Sequence, residues 1–163
     1  MKKQKGFSLI ELLIVVAIIL IIAAIAIPNL LRSRMAANEA SAVGSLRTLN
    51  TAEVTYSTTY PSIGFATLGQ LGGTATACAT STGATSAGAC LIDNVLSSTA
   101  VKSGYNFASS NLTGSPVIVT YTMTALPTVA GQSGQRAFCS DQAGVIRYNA
   151  GGTACSITTD PAL

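Results

Sequence analysis

The sequence predicts an α+β protein, with a long N-terminal α-helix packed on a small antiparallel β-sheet and a disulfide-closed C-terminal loop. Three observations carry this. Leu12 to Ile27 is unbroken apolar sequence. A helical stripe follows it to residue 60. Beyond residue 100, short alternating runs are separated by turn residues, with two of the four cysteines near the C-terminus.

Counted from Phe7 to Leu31, the apolar stretch reaches 25 residues, enough to cross a bilayer as a helix. Lys2, Lys3 and Lys5 precede it and fit a cytoplasmic N-terminus. Ala24-Ile25-Ala26 mimics a signal-peptidase site. An ordinary secretory h-region would not carry Glu11, and the helical pattern does not stop at Ala26. Pro28 removes one helical hydrogen bond and predicts a kink rather than an end. Beyond it Met35, Ala42, Leu46, Leu49, Tyr56 and Tyr60 recur at spacings of seven, four, three, seven and four. Arg34, Asn38, Glu39, Ser45, Arg47 and Glu53 fall between them and are expected on more polar faces. The helix is thus predicted from about Phe7 to Thr58, with Pro61 barring its continuation. Its amphipathic outer half docks on the globular part and its apolar half protrudes.

Gly72 to Cys90 holds almost only Gly, Ala, Thr and Ser besides two cysteines, and reads as a long surface loop. It is either an inert linker or an exposed, O-glycosylated connection. Strands are predicted at Tyr105–Ala108, Pro116–Ala125, Gln135–Ser140 and Val145–Tyr148. Val117, Val119, Tyr121 and Met123 share one face of the second. Asp141-Gln142-Ala143-Gly144 turns the last pair, and Gly151-Gly152 marks a further turn. The meander buries one face against the outer half of the helix.

Four cysteines allow three pairings. We favour Cys78–Cys90 with Cys139–Cys155, because each closes a short loop and contributes about 3 kcal/mol on the chain-entropy argument. Disulfides imply an oxidising compartment, periplasm or cell exterior.

Charged residues are only 9% of the chain, and three of its nine cations lie in Lys2, Lys3 and Lys5. The remaining six cations face six carboxylates. Such neutrality argues against a nucleic-acid partner, which needs clustered Lys and Arg, and removes repulsion between stacked copies. There is no histidine, hence no His-based triad or His-ligated metal. Asp93, Asp141 and Asp160 stand apart without a calcium-loop pattern. No cofactor, no metal and no enzymatic activity are expected. Asn111-Leu112-Thr113 matches a glycosylation sequon by chance.

One carboxylate, Glu11, lies inside hydrocarbon, where acidic side chains are costly and mark function. If the chain is cut between Gly6 and Phe7, a new α-amine appears one helical turn from Glu11. On a neighbouring copy, that amine could neutralise it. Gly6-Phe7-Ser8-Leu9-Ile10-Glu11, with the apolar run to Ala26-Ile27-Pro28-Asn29, resembles the processing and methylation signature of type IV pilins and type II secretion pseudopilins. The six-residue leader and Phe7 resemble the type IVa class.

The resemblance covers about the first 30 residues; the rest is similar in architecture only. It implies that prepilin peptidase removes residues 1–6 and that Phe7 is N-methylated. It also implies that Glu11 sets the register of each incoming subunit. Residues 7–31 would be the transmembrane and filament-core helix, 32–60 its amphipathic continuation, and 61–163 the globular head. The implied partners are other copies of the chain, the inner membrane before assembly, prepilin peptidase and the pilus machinery. The implied function is a major pilin, extruded from the inner membrane into a surface filament for attachment or twitching motility. The other member class is a major pseudopilin forming a short periplasmic pseudopilus. Major pseudopilins often carry a calcium site, so its absence leans toward a pilin. In related filaments the segment around the matching proline loses helical order, which here would extend residues 20–28. The C-terminal disulfide loop is surface exposed in that family and often mediates adhesion or subunit contact.

Overall fold

The computed structural model describes residues 7–74, 78–79 and 83–163. The leader, residues 1–6, and its Gly6 lie outside the described residues. Helix α1 spans Leu9–Thr59, 51 residues or about 76 Å. It is helical throughout, residues 20–28 included, with Pro28 inside it. The extended 20–28 segment implied for filaments is therefore not the conformation of this subunit. Tyr60 still donates its amide to the Tyr56 carbonyl at 2.8 Å, and Pro61 then ends the helix.

The chain divides into two compact units, Met1–Arg34 and Met35–Leu163. In the first, the described residues are helical from Leu9, and nearly all are exposed. Phe7 is 80% exposed and Ile25 65%. This part of α1 is long and apolar enough to cross a membrane.

In the second unit the helix carries a buried stripe of Ala42, Val43, Leu46, Leu49, Ala52 and Tyr56. Against it lies a five-stranded antiparallel meander in chain order. Its strands are β1 Val101–Lys102, β2 Tyr105–Thr113, β3 Thr120–Pro127, β4 Ala137–Asp141 and β5 Arg147–Asn149. Tyr105, Phe107, Tyr121, Met123, Ala125 and Phe138 complete the core with the helix stripe.

The strands depart from the sequence expectation in instructive ways. Strand β2 runs five residues past Ala108, because pairing with β3 continues to Thr113 opposite Thr120 after the apolar alternation has ended. Strand β3 begins four residues later than expected. Pro116 has no N–H to give, and Ile118 instead bridges to Gly64. Val119 is accordingly 59% exposed rather than on the buried face with Tyr121 and Met123. Strand β4 starts at Ala137, since the amides of Gln135 and Arg136 are spent on the Glu39 carboxylate. Val145 and Ile146 precede β5 rather than belonging to it. The Asp141–Gly144 turn forms: Asp141 Oδ1 accepts from the Ala143 amide at 3.1 Å, and Gly144 adopts φ +74°.

The stretch between α1 and the sheet is more structured than a linker. A four-residue helix, α2 (Leu68–Leu71), is closed by a capping box between Thr67 and Gln70. The Ala89 and Leu91 amides donate to the carbonyls of Gln70 and Leu71, each at 2.8 Å. A π-helical turn, Val95–Thr99, follows and seats Leu96 in the core. Propensity alone could not reveal α2, whose last carbonyls are met by amides from a later segment of the chain.

The crossover from helix to sheet depends on Gly64. It has φ +88°, and a Cβ there would lie 2.0 Å from the Ile118 carbonyl oxygen. Gly64→Ala is expected to destabilise the head by about 3 kcal/mol through combined strain and overlap. A thermal melt indistinguishable from that of the parent chain would contradict this.

Candidate functional site

The carboxylate singled out in the apolar segment has a local partner. Leu12 donates its amide to the Ser8 carbonyl at 3.2 Å, so Ser8 caps the first turn of α1. Glu11, three residues on, accepts the Ser8 amide through Oε2 at 2.9 Å. This is the reach-back half of a capping box, which leaves one fewer helix-end amide without an acceptor. The S-x-x-E spacing was visible in the sequence and supplies a second reason for a carboxylate at this position. Phe7, the expected new N-terminus, is adjacent to this bond. Acidic charge in the first helical turn is also favoured by the helix dipole.

Pro28 and Ser33 lie on the same part of the helix. Ser33 Oγ donates to the Asn29 carbonyl at 3.0 Å, a back-bond of the kind that tends to bend helices. Arg32 and Arg34 close the apolar run and are exposed.

The cysteines pair as Cys78–Cys90 and Cys139–Cys155, each with Cα atoms 5.7 Å apart. The first ties the Gly-, Ser- and Thr-rich stretch to the segment that bonds α2. The second joins the centre of β4 to the tail. Ser140, next along β4, receives the Asn50 amide of α1 at 2.8 Å, so strand alternation turns Cys139 toward the opposite face. There the tail covers it. Tyr148 donates its amide to the Pro161 carbonyl, and Leu163 to that of Ile146. Both faces of β4 are therefore buried.

Three polar residues assigned to the outer faces of α1 are instead buried: Glu39, Ser45 and Glu53. The signal was present. Glu39, Leu46, Glu53 and Tyr60 stand seven apart, so both carboxylates share the face of a core leucine. Their surroundings differ. Glu39 Oε1 accepts the amides of Gln135 and Arg136 at 2.9 and 3.1 Å, and Oε2 meets both the Nε and an NH2 of Arg136 at 2.8 Å. Burial opposes its charge, but these amides and the guanidinium outweigh it and hold the carboxyl below its ordinary value. The same guanidinium lies 5.4 Å from the ring centres of both Phe138 and Tyr148. Glu53 has no such cation, and burial pushes its carboxyl up to about 7 against a single hydrogen bond from Ala66.

At the surface, Lys102 pairs with Asp93, whose Oδ1 also accepts the Leu96 amide. Burial works against Asp93, yet the Lys102 and Leu96 bonds lower its carboxyl overall. Among the described residues, no three of His, Cys, Asp and Glu gather closely enough to hold a metal ion. The first unit thus presents an exposed apolar helix with one acidic group, Glu11, and the second a head cross-linked by two disulfides.

Residues 1–27 match the prokaryotic N-terminal methylation motif. Over 39 residues the chain is 64% identical to the type IV wide pilus major component PilA4 of Thermus thermophilus, covering 24% of this chain and 30% of that protein. Over 54 residues it is 46% identical to the type IV major pilin protein PilA of Myxococcus xanthus, covering 33% of this chain and 24% of that one. The matched stretches thus span less than a third of either relative. No solved structure matches the chain.

Proposed function

We propose that this chain, a type IV pilin by its methylation motif and its helix-on-sheet fold, is the major structural subunit of a type IV pilus. The observation that carries the reading is the continuity of the methylation motif at residues 1–27 with an exposed apolar helix bearing one carboxylate, Glu11. Such a helix has two stable homes, a bilayer or a bundle of like helices. Both are dry, so passage between them changes apolar burial little. The subunit is stored in the inner membrane with residues 1–6 on the cytoplasmic side. Prepilin peptidase cuts between Gly6 and Phe7 and methylates the new amine.

Assembly then needs a rule for register. An apolar helix slides along its neighbours at little cost, since dispersion contacts are alike at every offset. A single charge in hydrocarbon is not alike at every offset. Glu11 is stabilised where the amine of Phe7 on a neighbouring subunit meets it. In the monomer the Ser8 amide holds the carboxylate, so docking exchanges a neutral donor for a cationic one. The head, cross-linked by two disulfides, is placed on the filament surface for attachment or motility and has no catalytic role.

Electron microscopy and intact-mass analysis of material sheared from the cell surface test this reading. Filaments built from a chain that starts at N-methylated Phe7 are expected. A processed chain confined to the envelope, with no surface fibre, would make it a secretion pseudopilin. A chain beginning at Ile27 would make it a secreted soluble protein. Cleavage also requires a small residue before the cut, so Gly6→Ala is expected to be trimmed in part and Gly6→Val to keep its leader. Correct trimming of the valine variant would overturn the assignment of the cleavage site.

A further inference from the structure

Glu53 is fully buried, yet only one of its two oxygens is occupied. Oε2 accepts the Ala66 amide at 2.9 Å, and Oε1 has no hydrogen-bond partner. No ion pair to Glu53 exists among the described residues. Two tyrosines face it closely enough to sense its charge, Tyr56 from α1 and Tyr121 from β3. Neither hydroxyl serves Oε1. Tyr56 donates to the Ser86 carbonyl at 2.6 Å, and Tyr121 to Asn50 Oδ1 at 3.2 Å. Asp141 is the other charged group that acts on Tyr121, and Tyr60 acts on Tyr56; neither is a cation.

The bond from Ala66 has a particular place in the fold. It joins α1 to the crossover that carries the chain to the sheet, across a sequence separation of 13. On that crossover Phe65 takes the Ile118 carbonyl at 3.0 Å and packs edge-on to Tyr121, with ring centres 4.7 Å apart. Ile118 returns its amide to the Ile63 carbonyl at 2.8 Å. The crossover is thus stitched to the sheet on one side and to the helix through Glu53 on the other.

We propose that Glu53 is a pH-responsive latch between α1 and the crossover at residues 60–67, closed when the carboxyl is protonated and loosened when it is ionised. Protonation at Oε1 removes a buried charge that has no counter-ion, while Oε2 goes on accepting the Ala66 amide. Ionisation leaves an anion in the core with one backbone donor, which strongly favours any opening that admits water. The sign follows from the raised carboxyl. The folded chain binds this proton more tightly than the unfolded chain, so the contribution to stability is complete below the ordinary carboxyl value of 4.5. It is lost as pH rises toward about 7. Glu39 and Asp93 are shifted the other way and titrate below that window, so they do not mask it. The latch does not depend on the filament reading, although a head outside the cytoplasm would be exposed to the acidity of the medium.

The test is thermal and denaturant unfolding of the full, disulfide-intact chain in detergent micelles between pH 5 and pH 8, beside Glu53→Gln. Glutamine keeps an acceptor for the Ala66 amide and carries no charge. In the parent chain the unfolding equilibrium constant is expected to rise by up to about tenfold per pH unit below pH 7 and to level off above it. In Glu53→Gln that rise is expected to vanish. Parallel pH profiles in the two chains would overturn the latch. Should the variant not fold, a carbon-13 titration of the Glu53 carboxyl in the parent chain decides. A midpoint near 7 is expected, and one near 4.5 refutes the proposal.

Discussion

Glu11→Ala chains are expected to enter the membrane normally and to yield few or no filaments. An acidic side chain is disfavoured in a membrane helix, though less at the first turn, where Glu11 lies, than at the centre, so alanine makes insertion no harder. On the proposed assembly, the substitution removes the position-specific charge that selects one register among many nearly equal ones. Two separate measurements check this: the amount of chain in the membrane fraction, and the yield of fibres after shearing. Full fibre yield from the alanine variant would remove the assembly role of Glu11. Glu11→Gln adds a finer distinction. Glutamine can still accept the Ser8 amide as the third residue of a capping box, but it cannot pair with a cation. Loss of fibres in both variants points to the ion pair between subunits. Fibres from the glutamine variant alone would show that the side chain acts by capping α1.

The second large effect is expected at Glu39. Its carboxylate is the acceptor for two backbone amides and a guanidinium, and its side chain is 10% exposed. Glu39→Ala leaves the Gln135 and Arg136 amides without their acceptor at the entry to β4. A cost of about 2–4 kcal/mol follows, the lower end applying if water reaches the amides. Over the 129 residues of the head-containing unit, that is a fall in Tm of roughly 7–15 °C. Arg136→Gln is expected to cost less, because the two amides still hold Glu39 and the Arg136 side chain is 39% exposed, where solvent screens the pair. If the arginine variant proves the more damaging, the rings of Phe138 and Tyr148 rather than the carboxylate anchor this corner. The lowered carboxyl of Glu39 contributes stability above the ordinary carboxylate range, lost as pH falls through its folded value. That is opposite in sign to Glu53. With both groups intact, the head is expected to be most stable at mildly acidic pH.

Much of this was legible in the order of residues. The helix from Phe7 to Thr58 was read within two residues at its start and one at its end, because an apolar run and a heptad-spaced stripe are local patterns and Pro61 is a local stop. The antiparallel meander was legible as well, from alternation and turn residues. The strand ends were not. Whether Gln135 joins a strand depends on a carboxylate 96 positions earlier, and whether Val117 does depends on Gly64 across the crossover. The short helix after Thr67 and the π-helical turn carry little apolar signal; amides from Ala89 and Leu91 hold the first, and the core receives Leu96 of the second.

The apolar segment, its carboxylate Glu11 and the N-terminal methylation motif are each set by neighbouring residues along the chain. What the two buried carboxylates of α1 do depends on contacts that form only on folding. Glu39 and Glu53 stand on one face of one helix, two heptads apart, and are the same residue type. One meets a guanidinium and two amides; the other meets one amide and two tyrosines whose protons are committed elsewhere. The charge a buried carboxyl holds is set by what surrounds it in space. Those surroundings come from the entry to β4, 96 and 97 residues away, in one case, and from a crossover thirteen residues away in the other.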